Sequence, residues 1–235
     1  MKIIPLKTRI FRENESLFDF ILEHVSSLEE KTVLVVTSKI VALSEGRTAV
    51  FVSQEQKDEL IRKESELAIP TKWCWLTVKD GMVMASAGID ESNADGKLVL
   101  LPRDSYLAAA ELRAKLKARF HLRELGVLLT DSRTLPLRAG VIGVSVGHAG
   151  FRAVRNYIGK PDIFGRYMTM SRTDIVDSLA AAAVLVMGEG DEQVPLTLVE
   201  DAPIEFVEEI DRDELKISIE DDMYLPLFGS FHNKT

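Results

Sequence analysis

Asp131 and Ser132 carry the chemistry that most constrains this 235-residue chain. They follow an apolar run at 127–129, a pattern that predicts a buried strand. They open a predicted loop containing Arg133, Pro136 and Arg138, and glycines stand beyond it at 140, 143, 147 and 150. A carboxylate at a strand end, guanidiniums beside it and backbone free to approach a ligand can build a metal and phosphate site. The same residues also suit a tight turn with an Asx cap, with glycines that only permit close packing. Two other acidic segments fall where elements end. One holds Asp90, Glu91, Ser92 and Asn93; the other holds Glu189, Asp191 and Glu192 among Gly188 and Gly190. Hard cations such as Mg²⁺ or Mn²⁺ take oxygen ligands and complete their shells with phosphate. Asp90, Asp131 and Glu189 are the candidate carboxylates, with Ser132 and Asn93 as hydroxyl and amide donors. Neither a G-x-x-x-x-G-K-[ST] loop nor a G-x-G-x-x-G turn after a strand occurs. A nucleotide here is therefore held without the common phosphate loops.

The elements that must position these residues are legible in part. Thr32 to Thr37, TVLVVT, is a continuous apolar run and predicts a strand buried on both faces, with Ser38 and Lys39 at its exit. Asn14 or Ser16 caps a predicted helix whose apolar face is Leu17, Ile21, Val25 and Leu28. A charged surface helix is expected over 54–67, a hairpin over 73–86 turning at Lys79, Asp80 and Gly81, and a strand over 97–101. Asp104 or Ser105 starts a helix carrying Ala109, Leu112, Leu116 and Phe120. Thr173 starts another over 174–187, closed by Gly188, and a strand returns over 194–199. Residues 1–10 read as an edge strand or loop. Strands and helices mix without regular βαβ alternation, which predicts an α+β fold.

Composition narrows the functional classes. Hydrophobic residues make up 46% of the chain, enough for one large domain or two interlocked lobes. The net charge of −8 is local: residues 200–222 hold 11 of the 37 acids and only 2 of the 29 bases. Between Asp131 and Arg172, by contrast, 7 bases face 2 acids. A basic middle suits a small anionic ligand; no aromatic platforms interleave its arginines, which argues against nucleic acid. The acidic tail reads as solvated surface. No secretory h-region and no apolar run long enough to span a membrane is evident, so a cytoplasmic protein is expected. Cys74, the single cysteine, reads as a buried, inert thiol, and His148 as a hydrogen-bonded structural histidine.

Several pieces together resemble the coenzyme F420:L-glutamate ligases, GTP-dependent γ-glutamyl ligases of deazaflavin biosynthesis. They are IPLK near the start, VLVVTSKIV followed by SEGR, ELIRKESE, SAGIDESN, TDS with GVIGVSVGHAG, YIGKPDIFGR, and LAAAAVLVMGEGDE. Their order and spacing carry the resemblance, over roughly the first four-fifths of the chain. The resemblance implies a homodimer with a family-specific α+β fold, neither Rossmann nor P-loop. Residues 1–203 would form the catalytic unit, two interlocked lobes, and 204–235 an acidic C-terminal extension. It implies GTP and two divalent metals, Mg²⁺ or Mn²⁺, in a cleft. Asp90 and Asp131 match ligands of one metal, and Ser132 and Glu189 ligands of the other. Ser38, Asn93, Pro5 and Leu6 within segment 4–7, and Met187, Gly188, Gly190 and Asp191 within loop 187–194 match the GTP contacts. In the implied chemistry, a substrate carboxylate takes the γ-phosphate as an acyl phosphate, and the amine of L-glutamate displaces phosphate to form an amide.

The departures are specific. Leu43 stands where the family has a lysine associated with GTP, and Lys39 is the candidate to compensate. The family's D-T-F-G-R-P-W-R reads DSRTLPLR here: Ser132 keeps the hydroxyl and Arg138 the last arginine, two aromatics and a glycine are gone, and Arg133 is new. Asp131 and Arg138 are the catalytic candidates, with Arg152, Arg155 and Arg166 as further oxyanion holders. The altered loop bears on the acceptor more than on the reaction. F420-0 is the expected acceptor, folate the alternative; a regulatory nucleotide binder without catalysis is the reading from another class.

Overall fold

The computed structural model describes residues 1–228, so residues 229–235 of the acidic extension lie outside it. From the N-terminus, β1 (Lys2–Leu6) leads to α1 (Leu17–His24), capped by the Ser16 side chain, then to β2 (Thr32–Thr37) and α2 (Ser38–Ser44). A smaller lobe follows: β3 (Thr48–Val50), α3 (Gln54–Lys63), β4 (Leu67–Pro70), β5 (Trp75–Lys79), β6 (Met82–Ala85) and β7 (Lys97–Val99). The chain returns through α4 (Ser105–Phe120), with Asp104 as its cap, to β8 (Leu125–Thr134) and β9 (Val141–Ala149). Strands β10 (Val154–Asn156) and β11 (Arg172–Asp174), helix α5 (Ile175–Met187) and β12 (Leu196–Glu200) complete the main body.

One five-stranded mixed sheet, ordered β1-β12-β2-β8-β9, organises the molecule; β2 and β8 run parallel and the other pairings are antiparallel. Strand alternation sends Leu34 and Val36 of β2 and Leu125, Val127 and Leu129 of β8 to one face, where they pack on α1, α2 and α4. Val33, Val35 and Leu128 point the other way, onto α5. Both faces are covered, which is why TVLVVT is apolar throughout. A third core, Ile61, Ile89, Leu98 and Leu100, holds the smaller lobe. The fold is α+β, as expected, with separate two- and three-stranded sheets beside the main one.

Three local expectations are corrected, and one element is added. Ser38 and Lys39, expected at the strand exit, begin helix α2; it starts at the strand end without a side-chain cap, so it leaves no capping signature in the sequence. Asp131, Ser132 and Arg133 lie within β8, because β9 continues the ladder past a bulge at Leu129/Thr130: Asp131 pairs with Val144, Ser132 with Gly143 and Arg133 with Ile142. The glycine-rich stretch is accordingly strand β9. Gly143 serves packing, since a Cβ there would lie 2.5 Å from the Ala180 carbonyl and the Val184 side chain of α5. Cys74 is exposed, in the turn joining β4 and β5, where Trp75 rather than the thiol packs inward.

The acidic segment is more than solvated surface. Phe151 bridges to Phe206, the Val207 amide donates to the Gly150 carbonyl, and Ile204, Phe206 and Leu215 pack on the α5 core. Arg113 of α4 donates to the Leu125 and Val207 carbonyls and to Glu208, which Lys117 also holds. His148 is buried between Tyr106 and Phe151, as a structural histidine should be; among the described residues neither ring nitrogen makes a hydrogen bond of good geometry, and the Phe151 backbone is the polar group that acts on the ring. Burial pushes its pKa down to about 4.

Candidate functional site

The strand register gathers the candidate segments at one edge of the main sheet. Leu6, Leu196, Val36 and Leu129 form a row across β1, β12, β2 and β8. Just beyond that row, β1 ends, β2 passes into Ser38 and Lys39, β8 presents Asp131 and Ser132, and the 188–193 loop enters β12. Backbone bonds tie this edge together: Thr8 N donates to Gln193 O at 2.9 Å and Thr37 N to Pro195 O at 3.0 Å. Ligands of open sheets containing parallel strands commonly sit at such carboxyl ends.

Asp131 lies on the strand face opposite to Ser132. Its side chain is partly exposed, yet enough protein surrounds the carboxyl that burial pushes its pKa up to about 6. The Ser132 amide and the Arg133 and Lys39 charges oppose that rise, while the Asp90 carboxylate adds to it. Ser132 Oγ donates to Glu189 Oε1 at 2.5 Å, linking β8 to the loop after α5. Gly188 makes that loop possible: its φ is +79°, and a Cβ there would meet the Glu192 carboxyl at 2.2 Å. The Gly190 amide donates to Glu192 Oε2 at 2.8 Å.

The smaller lobe contributes Asp90 and Asn93. Asp90 is held by its bridge to Val99. Lys39 Nζ donates to its Oδ2 at 2.7 Å, Ser92 Oγ to the same oxygen at 2.6 Å and the Ser92 amide to Oδ1 at 2.8 Å. Burial alone would raise the Asp90 pKa, but these bonds hold it below the usual carboxylate range. Asn93 Nδ2 donates to Gly190 O at 2.9 Å and so joins the two loops. Sequence reasoning did not nominate Ser92; its signal was the Asp-x-Ser spacing of an Asx turn.

Other nominated residues are placed differently. Pro5 is exposed on the edge strand β1, and Leu6 packs on the core below it. Ser38 is buried; Asp191 is exposed in its loop. The Met187 side chain belongs to the α5 core, leaving its backbone for any ligand contact. Leu43, in the last turn of α2, packs against two of the cores. Arg138 sits at the exposed tip of the β8–β9 hairpin, beyond the last paired residue Thr134. Arg152 pairs with Glu205 and Arg155 donates to the Pro203 carbonyl, so the acidic segment engages both; Arg166 is exposed. A surface pocket of about 540 Å³ lined by Arg152, Arg155, Lys160 and Glu214 contains none of Asp90, Asp131, Ser132 or Glu189.

The donor set suits a hard divalent cation in chemical type. Asp90, Asp131, Ser132 and Glu189 offer oxygen alone, and they come as two linked pairs, Asp90 with Asp131 electrostatically and Ser132 with Glu189 by a hydrogen bond. Among the described residues, no three or more carboxylate, histidine or cysteine side chains converge as a metal cage. Cations that take few protein carboxylates and finish their shells with phosphate and water match that sparseness. Among the described residues, no helix is long and apolar enough to cross a membrane.

Residues 5–201 match the family model described as F420-0:Gamma-glutamyl ligase. The coenzyme F420:L-glutamate ligase of Methanopyrus kandleri is 32% identical, covering 83% of this chain and 84% of its own. That of Halobacterium salinarum is 33% identical over 74% of this chain and 76% of its own, and that of Methanothermobacter thermautotrophicus 41% identical over 53% and 50%. With its candidate residues gathered at one sheet edge and its matched region running from β1 to the end of β12, the chain belongs to the F420-0:γ-glutamyl ligase family.

Proposed function

We propose that the protein is a γ-glutamyl ligase that joins L-glutamate to the carboxylate of F420-0, using GTP and divalent metal. The observation that carries this reading is the meeting of Lys39 with Asp90, Ser132 with Glu189 and Asn93 with Gly190 at a single sheet edge. In the proposed reaction, an acceptor carboxylate oxygen attacks the γ-phosphorus and GDP leaves. The amine of L-glutamate then attacks the acyl carbon, phosphate leaves, the amine proton is lost and an amide remains. Bound Mg²⁺ or Mn²⁺ would spread the phosphoryl charge, held by Asp90 and Asp131 at one site and Ser132 and Glu189 at the other.

The protein's own groups have definable tasks. Lys39 is placed to hold Asp90 and to add positive charge near the phosphates, in place of the lysine replaced by Leu43. Asn93 fixes the smaller lobe against the 188–192 loop, which together with Ser38 and the end of β1 would receive the nucleotide. Asp131 must be ionised to act as a ligand, and its raised pKa makes that ionisation sensitive to what binds beside it. Arg138 reaches the reacting centre only if the hairpin tip folds over a bound substrate. A homodimer is part of the proposal: Ile163, Phe164 and Met170, each more than 80% exposed on the β10–β11 connection, support it as apolar surface awaiting a second copy.

The test is to incubate the protein with GTP, Mg²⁺ or Mn²⁺ and L-glutamate, with F420-0 and folate as separate acceptors. One glutamyl mass increment on F420-0 with matching GDP release is expected. An increment on folate alone would move the acceptor and keep the chemistry. Nucleotide binding without product on either acceptor would leave the regulatory reading.

A further inference from the structure

Arg133 is the residue of the cleft whose bonding is least complete. It follows Asp131 by two positions on β8, so strand alternation places both side chains on the same face. A guanidinium carries five N–H donors and no acceptor. Here Nη2 reaches only the Met82 sulfur, at 3.5 Å, and a thioether is a weak acceptor. The Nε atom is sealed from solvent and has no hydrogen-bond partner. Among the described residues, no carboxylate lies within 4.0 Å of the guanidinium; Asp131 and Asp177 act on it only at longer range. Nearly all buried polar groups of native proteins are bonded, so an unbonded donor on a charged fork needs a reason.

A structural arginine in the same molecule shows what satisfaction looks like. Arg113 is more deeply buried, and all three of its nitrogens have oxygen partners, from Leu125, Glu208 and Val207. Arg133 has no oxygen partner on Nε or Nη2, two residues along the strand from the Asp131 carboxylate. A guanidinium held open in this way suits a carboxylate or phosphate, whose paired oxygens match the fork.

We propose that Arg133 is the oxyanion receptor of the cleft, binding a carboxylate or phosphate group of an incoming substrate beside Asp131. The inference rests on the ligase reading for the identity of that substrate, though not for the existence of the receptor. Three sources share the chemistry: the phosphates of GTP, the carboxylates of L-glutamate and the acceptor carboxylate. Arg133 is then a substrate-binding residue whose contact fixes which oxyanion lies next to Asp131.

The experiment uses the full chain and the substitutions Arg133→Gln and Arg133→Lys. The Michaelis constant is measured for GTP, L-glutamate and F420-0 in turn, together with the thermal midpoint. One constant should rise roughly tenfold or more in Arg133→Gln with the other two nearly unchanged, and Arg133→Lys should recover part of the loss. The substrate affected identifies the source. The thermal midpoint should hold or rise, because an unbonded buried charge is removed. Unchanged constants for all three substrates, or a uniform loss of activity with a lowered midpoint, overturn the proposal in favour of a structural arginine. If the wild-type protein turns over no acceptor, the ligase reading fails and calorimetry still decides the receptor. GTP, L-glutamate and inorganic phosphate are then titrated into wild type and Arg133→Gln, and a ligand that binds the first and not the second supports it. Equal binding of all three overturns it.

Discussion

Two arginines on neighbouring elements divide the molecule into a closed side and an open side. Around Arg113, at the base of β8, the acidic segment after β12 folds back and every guanidinium nitrogen has an oxygen partner: Glu208 bridges Arg113 and Lys117, the Leu125 carbonyl takes Nε, the Val207 carbonyl takes Nη2, and Phe206 lies across from Phe151. Around Arg133, at the other end of the same strand, donors stay open, Asp131 is held with a pKa near 6 and hydroxyl and carboxylate pairs line the edge. One strand thus joins a region whose arginine is bonded to oxygen to one whose arginine is not. Hydrogen bonds complete within the chain serve the fold, whereas groups left incomplete at a strand end need a ligand to complete them.

That contrast can be broken, and the open end offers the largest effect. Asp131→Asn should lower turnover on the order of a hundred- to a thousandfold while the thermal midpoint holds or rises, since a half-buried carboxylate is replaced by a neutral amide. A fallen midpoint with retained turnover would assign Asp131 to the closed side. Arg113→Met should do the reverse. It takes the Arg113 donor from the Leu125 carbonyl and leaves Glu208 with Lys117 alone, at about 3 kcal/mol, with Michaelis constants unchanged in the folded fraction. Denaturant unfolding and steady-state kinetics read both quantities.

The closed side should also be the acid-sensitive one. His148 is neutral when folded because burial lowers its pKa to about 4, while the unfolded histidine titrates near 6.5. Between those values the unfolded state binds the proton first, so stability falls as pH drops through that window and is unaffected by this group above it. The loss approaches about 3 kcal/mol near the lower end. Unfolding of wild type and His148→Leu at pH 7 and near pH 4.5 should show a flatter pH slope in the variant. Equal slopes would place the acid sensitivity elsewhere. The smallest effect is Glu208→Gln: its side chain is 67% exposed, so less than about 1 kcal/mol is expected. A larger loss would mean that the clasp is held by its ion pairs more than by Phe206.

The parts of this arrangement that could be read in advance share a property: their signal is local. TVLVVT announces a doubly covered strand, Ser16 and Asp104 announce their helices, and Gly188 marks the end of α5. Helix α2 was invisible because it opens directly at a strand end with no capping side chain. The strand character of Asp131, Ser132 and Arg133 was invisible because their own types are polar and β9 supplies the ladder that extends them. Cys74, between two tryptophans, looked buried; the turn it occupies puts Trp75 inside and the thiol outside.

The sequence by itself determined the chemical inventory: oxygen donors in three acidic segments, a basic middle, an acidic tail, and an ordered set of motifs placing the chain in its family. These are properties of residue type and order, and neighbours in the chain suffice to reveal them. Only the tertiary structure decided which of those groups meet. Lys39 reaches Asp90, Ser132 reaches Glu189 and Asn93 reaches Gly190 across large separations, set by the register of a mixed sheet. It also decided which arginine is bonded and which is open. Burial and bonding of a charge depend on elements packed around it from distant parts of the chain, and no local pattern encodes that sum.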